Sequence, residues 1–324
     1  MWKKLSLAAV IVLAGALFLS ACSGDKNDTE KFTIGVSQFM EHPSLDAAFE
    51  GFKKAIEDAG LEVEYDVQMG HGDQNTLSAI AKNFVGDNVD LIFANSTPSA
   101  LSALNATKEI PIVFTSVTDP VGAKLVKSME EPGGNVTGTV DHHPEAITKM
   151  IAFINEHFDV KNLGTIYNAG EQNSVSQINM VKEALKGTGV KLIEKSVSTT
   201  SEVKQAAESL IGKVDAIYIV TDNTAVSGLE AIVKVANEED IPLFVGELDS
   251  VARGGFAAFG FKYDDIGYRA GEMAAQILKG EKTPAEIPVE YPPNLRLVLN
   301  KKAAAEMNID WKDEWNDLAA EIIE

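Results

Sequence analysis

From residue 32 onward, two periods alternate along the chain. Phe32-Thr33-Ile34-Gly35-Val36-Ser37 reads as a strand. Leu45, Ala48, Phe49, Phe52 and Ile56 then recur at helical spacing, and Gly60 stands where that helix should stop. Val63 to Val67 alternates as a strand, and Leu77, Ile80, Ala81, Phe84 and Val85 mark the next helix. Leu91-Ile92-Phe93-Ala94 is a short apolar run, the pattern of a strand buried on both faces. A helix from Pro98 to about Lys108 and a strand from Pro111 to Phe114 follow. Such alternation predicts a parallel sheet covered by helices.

The rhythm breaks near Gly133-Gly134-Asn135-Val136-Thr137-Gly138 and then restarts. Helices are expected around Ile147–Ile154, from Ser174, from about Glu202 to Ile211 and from Thr224 to Glu238. Strands are expected at Leu163–Tyr167, Val190–Ile193, Ile217–Val220 and Pro242–Val245. The two series echo each other. Phe84-Val85-Gly86 leads through Val89-Asp90 into a strand, as Leu210-Ile211-Gly212 does through Val214-Asp215. Both continue through a helix to Ile-Pro, at Ile110-Pro111 and Ile241-Pro242. The expected fold is therefore α/β, with two Rossmann-like lobes carrying parallel sheets and joined by a hinge. A helix holding Ile266, Ala270, Met273 and Ile277, and a strand Leu295–Leu299, should cross between the lobes. The expected division is 32–138 plus about 256–281 for the first lobe and 139–255 plus about 282–324 for the second. Trp311, Trp315, Leu318 and Ile322 suggest a closing surface helix.

The first 21 residues follow another pattern. Lys3 and Lys4 precede an apolar stretch from Leu5 to Leu19, then Ser20-Ala21-Cys22, and Cys22 is the only cysteine. That order is a secretory leader, and Leu-Ser-Ala-Cys resembles a bacterial lipobox, whose cysteine is lipidated. Residues 1–21 are thus expected to be a lipoprotein signal peptide and 22–31 a flexible polar tether. Cys22 would be the lipid anchor, holding the chain to the cell membrane on its extracytoplasmic side. A plain membrane span is the alternative; the stretch is short for one and carries Ser6, Gly15 and Ser20. Composition is that of a soluble globular protein, 45% hydrophobic and 23% charged. The net charge of −20 argues against nucleic acid as a partner. A monomer is expected. His142-His143 beside Asp141 and Glu145 is the nearest approach to a metal cluster, but adjacent residues seldom point together. No metal and no cofactor is expected. The chain lacks a G-x-S-x-G elbow, a P-loop and a G-x-G-x-x-G, so it is not expected to be an enzyme.

Open α/β sheets bind ligands beyond their strand ends, so the residues after each strand are the candidates. The first strand ends in Ser37-Gln38, with His42 just beyond. Asn95-Ser96-Thr97-Pro98 follows the third, where Thr97 is a good N-cap and the helix start suits a carboxylate. Thr115-Ser116-Val117-Thr118-Asp119 is dense in hydroxyls. In the second series the matching exits carry Asn168, Asn173 and Ser174, then Asp222-Asn223, then Asp249. Asp222 suits a ligand ammonium or the cap of the next helix.

These stretches carry a resemblance. Gln38 to Pro43, Ile112 to Ala123, Pro132 to Gly138, Tyr167 to Ser174 and Thr221 to Thr224 together resemble the type 1 periplasmic binding proteins. More closely, they are similar to the substrate-binding lipoproteins of ABC transporters assigned to tryptophan or other aromatic amino acids. The resemblance implies a small amino acid-like ligand clamped between lobes and delivered to an ABC permease and its ATPase. The implied ligand contacts are Ser37, Gln38, His42, Ser96, Thr97, Thr115, Ser116, Asp119, Asn168, Asn173, Ser174, Asp222, Asn223 and Asp249. A sugar or nucleoside binder of the same fold, and a ligand-sensing partner of a membrane receptor, remain open at this point.

Overall fold

In the computed structural model, which describes residues 31–324, the first series folds as the alternation predicts. The expected leader, Cys22 and the tether up to Glu30 lie outside the described residues. Strands β1 (Lys31–Gln38), β2 (Glu62–Met69), β3 (Leu91–Asn95), β4 (Ile112–Val117) and β5 (Val136–Val140) form one sheet in the order β2-β1-β3-β4-β5. All its pairings are parallel. Helices α1 (Pro43–Asp58), α2 (Gln74–Gly86) and α3 (Thr97–Ala106) make the crossovers. Every residue of β3 and β4 is buried, which is why Leu91–Ala94 and Ile112–Phe114 read as continuous apolar runs, while the polar residues after them stand at the strand ends. β5 falls in the stretch where the pattern broke. It is wholly buried yet carries two threonines. Thr137 donates to Ile287 O at 2.7 Å and Thr139 to Ile266 O at 3.0 Å, so their hydroxyls are satisfied inside the fold.

The second series gives α4 (Ala146–His157), β6 (Asn162–Tyr167), α5 (Gln172–Ala184), β7 (Lys191–Ser196), α6 (Val203–Glu208) and β8 (Ala216–Ile219). The helix expected from Thr224 to Glu238 is two, α7 (Asn223–Ser227) and α8 (Leu229–Glu238), parted at Gly228. Then come β9 (Leu243–Val245), α9 (Leu248–Ala252), β10 (Ala257–Gly260) and α10 (Tyr263–Leu278). The chain closes with β11 (Arg296–Asn300), α11 (Lys301–Glu306), α12 (Trp315–Leu318) and β12 (Glu321–Ile323). The second sheet runs β12-β11-β10-β9-β8-β6-β7.

α10 leaves the second sheet and lies against α1 in the first lobe. Small residues permit the approach. A Cβ on Gly51 would meet the Asp264 carbonyl oxygen, and one on Gly267 that of Ala48. Ile287 and Val289 are buried in first-lobe clusters before the chain returns. The structure therefore moves the expected crossings. The first lies after Val140, the second between Gly260 and Tyr263, and the third beyond Glu290, where Val140 N donates to Glu290 O. Because the chain comes back from the cleft side, β11 runs antiparallel to β10, the one departure from an all-parallel second sheet among the described residues.

The expected C-terminal surface helix is a misreading. Trp315 is fully buried, 5.9 Å from the Phe153 and Phe158 rings and 5.3 Å from Phe256. Glu321–Ile323 then adds a parallel edge strand to β11. A single turn followed by a strand reproduces the four-residue spacing of a helix, and edge pairing overrides it.

Candidate ligand-binding cleft

The strands of both lobes end at one crevice, and backbone strain marks the first lobe's side of it. Ser96, after β3, has φ 121°, and Ser116, at the end of β4, has φ 58°. Side chains rarely adopt either value, and such strain persists where surrounding structure imposes it. Ser96 Oγ caps α3 by accepting from Ser99 N at 3.4 Å. Thr97, the expected cap, is instead the first helical residue, and its hydroxyl is buried with no protein partner. In β4 the register slips between Phe114 and Val117. Such a bulge re-aims side chains, and here it leaves Ser116 Oγ buried and unpartnered. Thr115 is turned the other way. Its hydroxyl lies 2.9 Å from that of Thr139, whose hydrogen goes to Ile266 O, so Thr115 is the donor and belongs to the frame.

Ser37 Oγ, at the end of β1, is also buried without a partner. Its neighbour Gln38 is fully engaged. The Gln38 amide donates to Met40 O (3.0 Å) and Asp46 Oδ1 (2.7 Å) and accepts from Asn95 Nδ2 (3.0 Å). That relay ties β1, β3 and α1 together and leaves Asn95 Oδ1 unsatisfied. His42 precedes α1 and is buried with a free Nδ1. Burial, then the nearby charge of Arg253, lowers its pKa to about 3, against a contact with Asn223 that raises it.

The second lobe presents acids. Asp222 caps α7, accepting from Ala225 N at 2.6 Å through Oδ1. Its Oδ2 accepts from Asn168 N (2.7 Å) and Ser174 Oγ (2.6 Å). Asn168 further donates to Thr224 Oγ1 and accepts from Gly170 N, so it forms a closed turn. Glu171, unassigned from the sequence, accepts from Thr224 Oγ1 (2.8 Å), Asn223 Nδ2 (2.5 Å) and Asn173 Nδ2 (3.3 Å). Asn173 Oδ1 is buried and unpartnered. Burial first, and then the neighbouring Asp222 charge, raises Glu171 to about 7, and burial likewise raises Asp222.

The two walls meet directly. Ser44 Oγ of α1 lies 3.0 Å from Glu247 Oε2 and 2.8 Å from Asp249 Oδ2, both beyond β9. Gln177 of α5 donates to Thr118 Oγ1 at 3.0 Å, and Ser176 to Asp119 Oδ2 at 3.2 Å. Asp119 Oδ1 accepts from Gly122 N, placing this residue on the rim. The lobes thus stand in a closed arrangement. Of the expected contacts, Ser37, His42, Thr97, Ser116 and Asn173 keep buried polar atoms without partners. Gln38, Ser96, Thr115, Asn168, Ser174, Asp222 and Asn223 build the frame, and Asp119 and Asp249 bridge the lobes. Ser44, Asn95, Glu171, Gln177 and Glu247 were not singled out. A carboxylate within each strand exit was the available signal for Glu171 and Glu247.

Residues 33–323 match the family model of the ABC transporter substrate binding protein. The chain belongs to this family. It is 42% identical over 315 residues to the tyrosine-binding protein of Clostridioides difficile, covering 92% of this chain and 90% of that one. A Streptococcus structure, the ABC domain in complex with L-Trp, superposes with a TM-score of 0.85 at 33% identity, covering 90% and 100%. The ligand-free, open structure of CD0873, a substrate-binding protein with adhesive properties from Clostridium difficile, gives 0.66 at 37% identity, covering 90% and 99%. The more identical of these two chains fits less well. Both lobes have the type 1 periplasmic binding protein fold.

Proposed function

We propose that this protein captures an aromatic amino acid, with tyrosine or tryptophan as the first candidates, and delivers it to an ABC permease. The observation that carries the reading is the set of buried, unpartnered polar atoms on Ser37, Thr97, Ser116 and Asn173, contributed by both walls of one crevice. Buried polar groups without partners are costly, so such a set calls for a polar ligand. The hydroxyls beside the α3 N-terminus suit the ligand carboxylate. For the ammonium, Asp222 is poorly placed because its oxygens already accept three protein hydrogen bonds. Glu247, which faces the first lobe and among the described residues has only hydroxyl partners, is the better assignment. The names of the tyrosine-binding protein and the L-Trp complex support an aromatic side chain. A closing cleft of this kind needs no catalytic group, and we assign the chain no reaction.

Calorimetric titration with L-tyrosine, L-tryptophan, a hexose and a nucleoside is the test. Saturable binding of one aromatic amino acid alone is expected; binding of the sugar or nucleoside alone overturns the reading. We further propose lipid attachment at Cys22 outside the cytoplasmic membrane. Cys22→Ala should release the protein from the membrane fraction, and retention equal to wild type would refute the anchor.

A further inference from the structure

We propose that closing the lobes without ligand takes up a proton, held in the Ser44–Glu247–Asp249 contact. This goes beyond the ligand reading and stands without it. Ser44 has one hydroxyl hydrogen and two carboxylate oxygens within 3.0 Å of its oxygen, each on the opposite lobe. It can donate to only one at a time. Glu247 is 3% exposed, and its only other hydrogen-bond partner among the described residues is Ser250 Oγ, at 3.1 Å to the same Oε2. Glu247 and Asp249 stand together on the second lobe in either arrangement. Closing the lobes covers that pair with Ser44, which brings one hydrogen for two carboxylates and takes away the water that screened their charges. Like charges in such a site do not both ionise.

The surroundings offer no compensation. Asp141 adds a further acid, bonded to Thr118 (2.9 Å) and Tyr263 (3.2 Å). On α9's flank, Arg253 is engaged by both Glu230 oxygens and Val226 O. Lys262, ahead of α10, is exposed. Among the described residues no group of three ligating side chains could hold a metal ion. A proton on Glu247 resolves the conflict. Ser44 then donates to Asp249 and accepts from the Glu247 carboxyl, so every atom in the contact has a complementary role. Consistent with this, burial raises Glu247 to about 8, with the Asp249 and Asp141 charges adding to the effect.

The sign follows. A carboxyl raised by closure binds its proton in the closed form and loses it in the open form, so acid favours closure in the window below about 8. His42 opposes this. It is buried and held neutral in the closed form, so below its ordinary value of 6.5 acid favours opening. The net response should therefore fall between pH 8 and about 6.5 and then level off, with a closed-to-open ratio changing up to about tenfold per unit.

Small-angle scattering of the chain, stripped of ligand by unfolding and refolding, tests this from pH 8.5 to 5.5. Wild type should become more compact as pH falls to about 6.5. Glu247→Gln, neutral at every pH, should be compact at pH 8 already and lose that response. General loss of negative charge would persist in this variant, so an unchanged response overturns the proposal. So does a wild type whose dimensions ignore pH. Asp249→Asn is a second probe, on a partly exposed residue; it removes a charge that holds Glu247 up and should move the transition to lower pH, and if Glu247→Gln does not fold, an unmoved transition in Asp249→Asn refutes the idea. None of these outcomes involves a ligand, so they are separate from the fate of the aromatic amino-acid reading.

Discussion

A hydroxyl in this cleft either serves the frame or is left for a ligand, and the difference rests on single hydrogen bonds. Thr115 and Ser116 are adjacent, yet one hydroxyl is tied to Thr139 and the other has no partner. The density of hydroxyls after the strand was legible in the sequence. Which of them is free was not, because it depends on a bulge and on a threonine 24 residues later. Ser44 and Glu247, 203 residues apart, were illegible for the same reason. We expect Thr97→Val and Ser116→Ala each to weaken ligand binding about tenfold, roughly 1.4 kcal/mol, the scale of one net hydrogen bond. Neither hydroxyl has a protein partner, so melting temperatures should hold or rise. Titration beside a melting curve checks both. Intact affinity with a lowered melting point would return these side chains to the frame.

At the scale of elements, burial on both faces made most strands readable and also hid some. β3 and β4 announce themselves through the apolar runs Leu91–Ala94 and Ile112–Phe114, whereas β5 mixes valine with threonine and glycine and hides two inward-bonded threonines. β10 consists of Ala-Ala-Phe-Gly, too short and too small in side chain to register as a period. The α1–α10 contact was equally silent, since glycine contributes nothing to hydrophobic spacing. Yet it is the contact that fastens a helix from late in the chain onto the first lobe. Gly267→Ala should destabilise the protein by about 1–3 kcal/mol, because the new methyl meets backbone that cannot step aside. Gly86→Ala in α2, where a Cβ meets nothing within 4 Å and the backbone is helical, should instead stabilise by about 0.5–1 kcal/mol. Denaturant melts of the pair measure both signs at once; a harmless Gly267→Ala would mean that the helices can part without loss.

For the whole molecule, the two lobes bury their own cores and touch mainly through side chains at the cleft. Contacts within a lobe exist in every arrangement, whereas contacts across the cleft exist only when it is shut. Removing a cross-cleft hydrogen bond should therefore leave each lobe's stability untouched and shorten the life of the closed complex. Ser176 to Asp119 is suited to the test, since Asp119 keeps its bond from Gly122 N and no buried group is orphaned by the loss. A partly buried bond of this kind contributes about 0.5–1.5 kcal/mol, and affinity differences within one interface fall mostly on dissociation. Ser176→Ala should accordingly raise the ligand off-rate about two- to tenfold, with the on-rate and melting temperature unchanged. Stopped-flow displacement of a bound aromatic amino acid measures the two rates separately. An effect on the on-rate alone would place Ser176 in the encounter with ligand and remove it from the closed state.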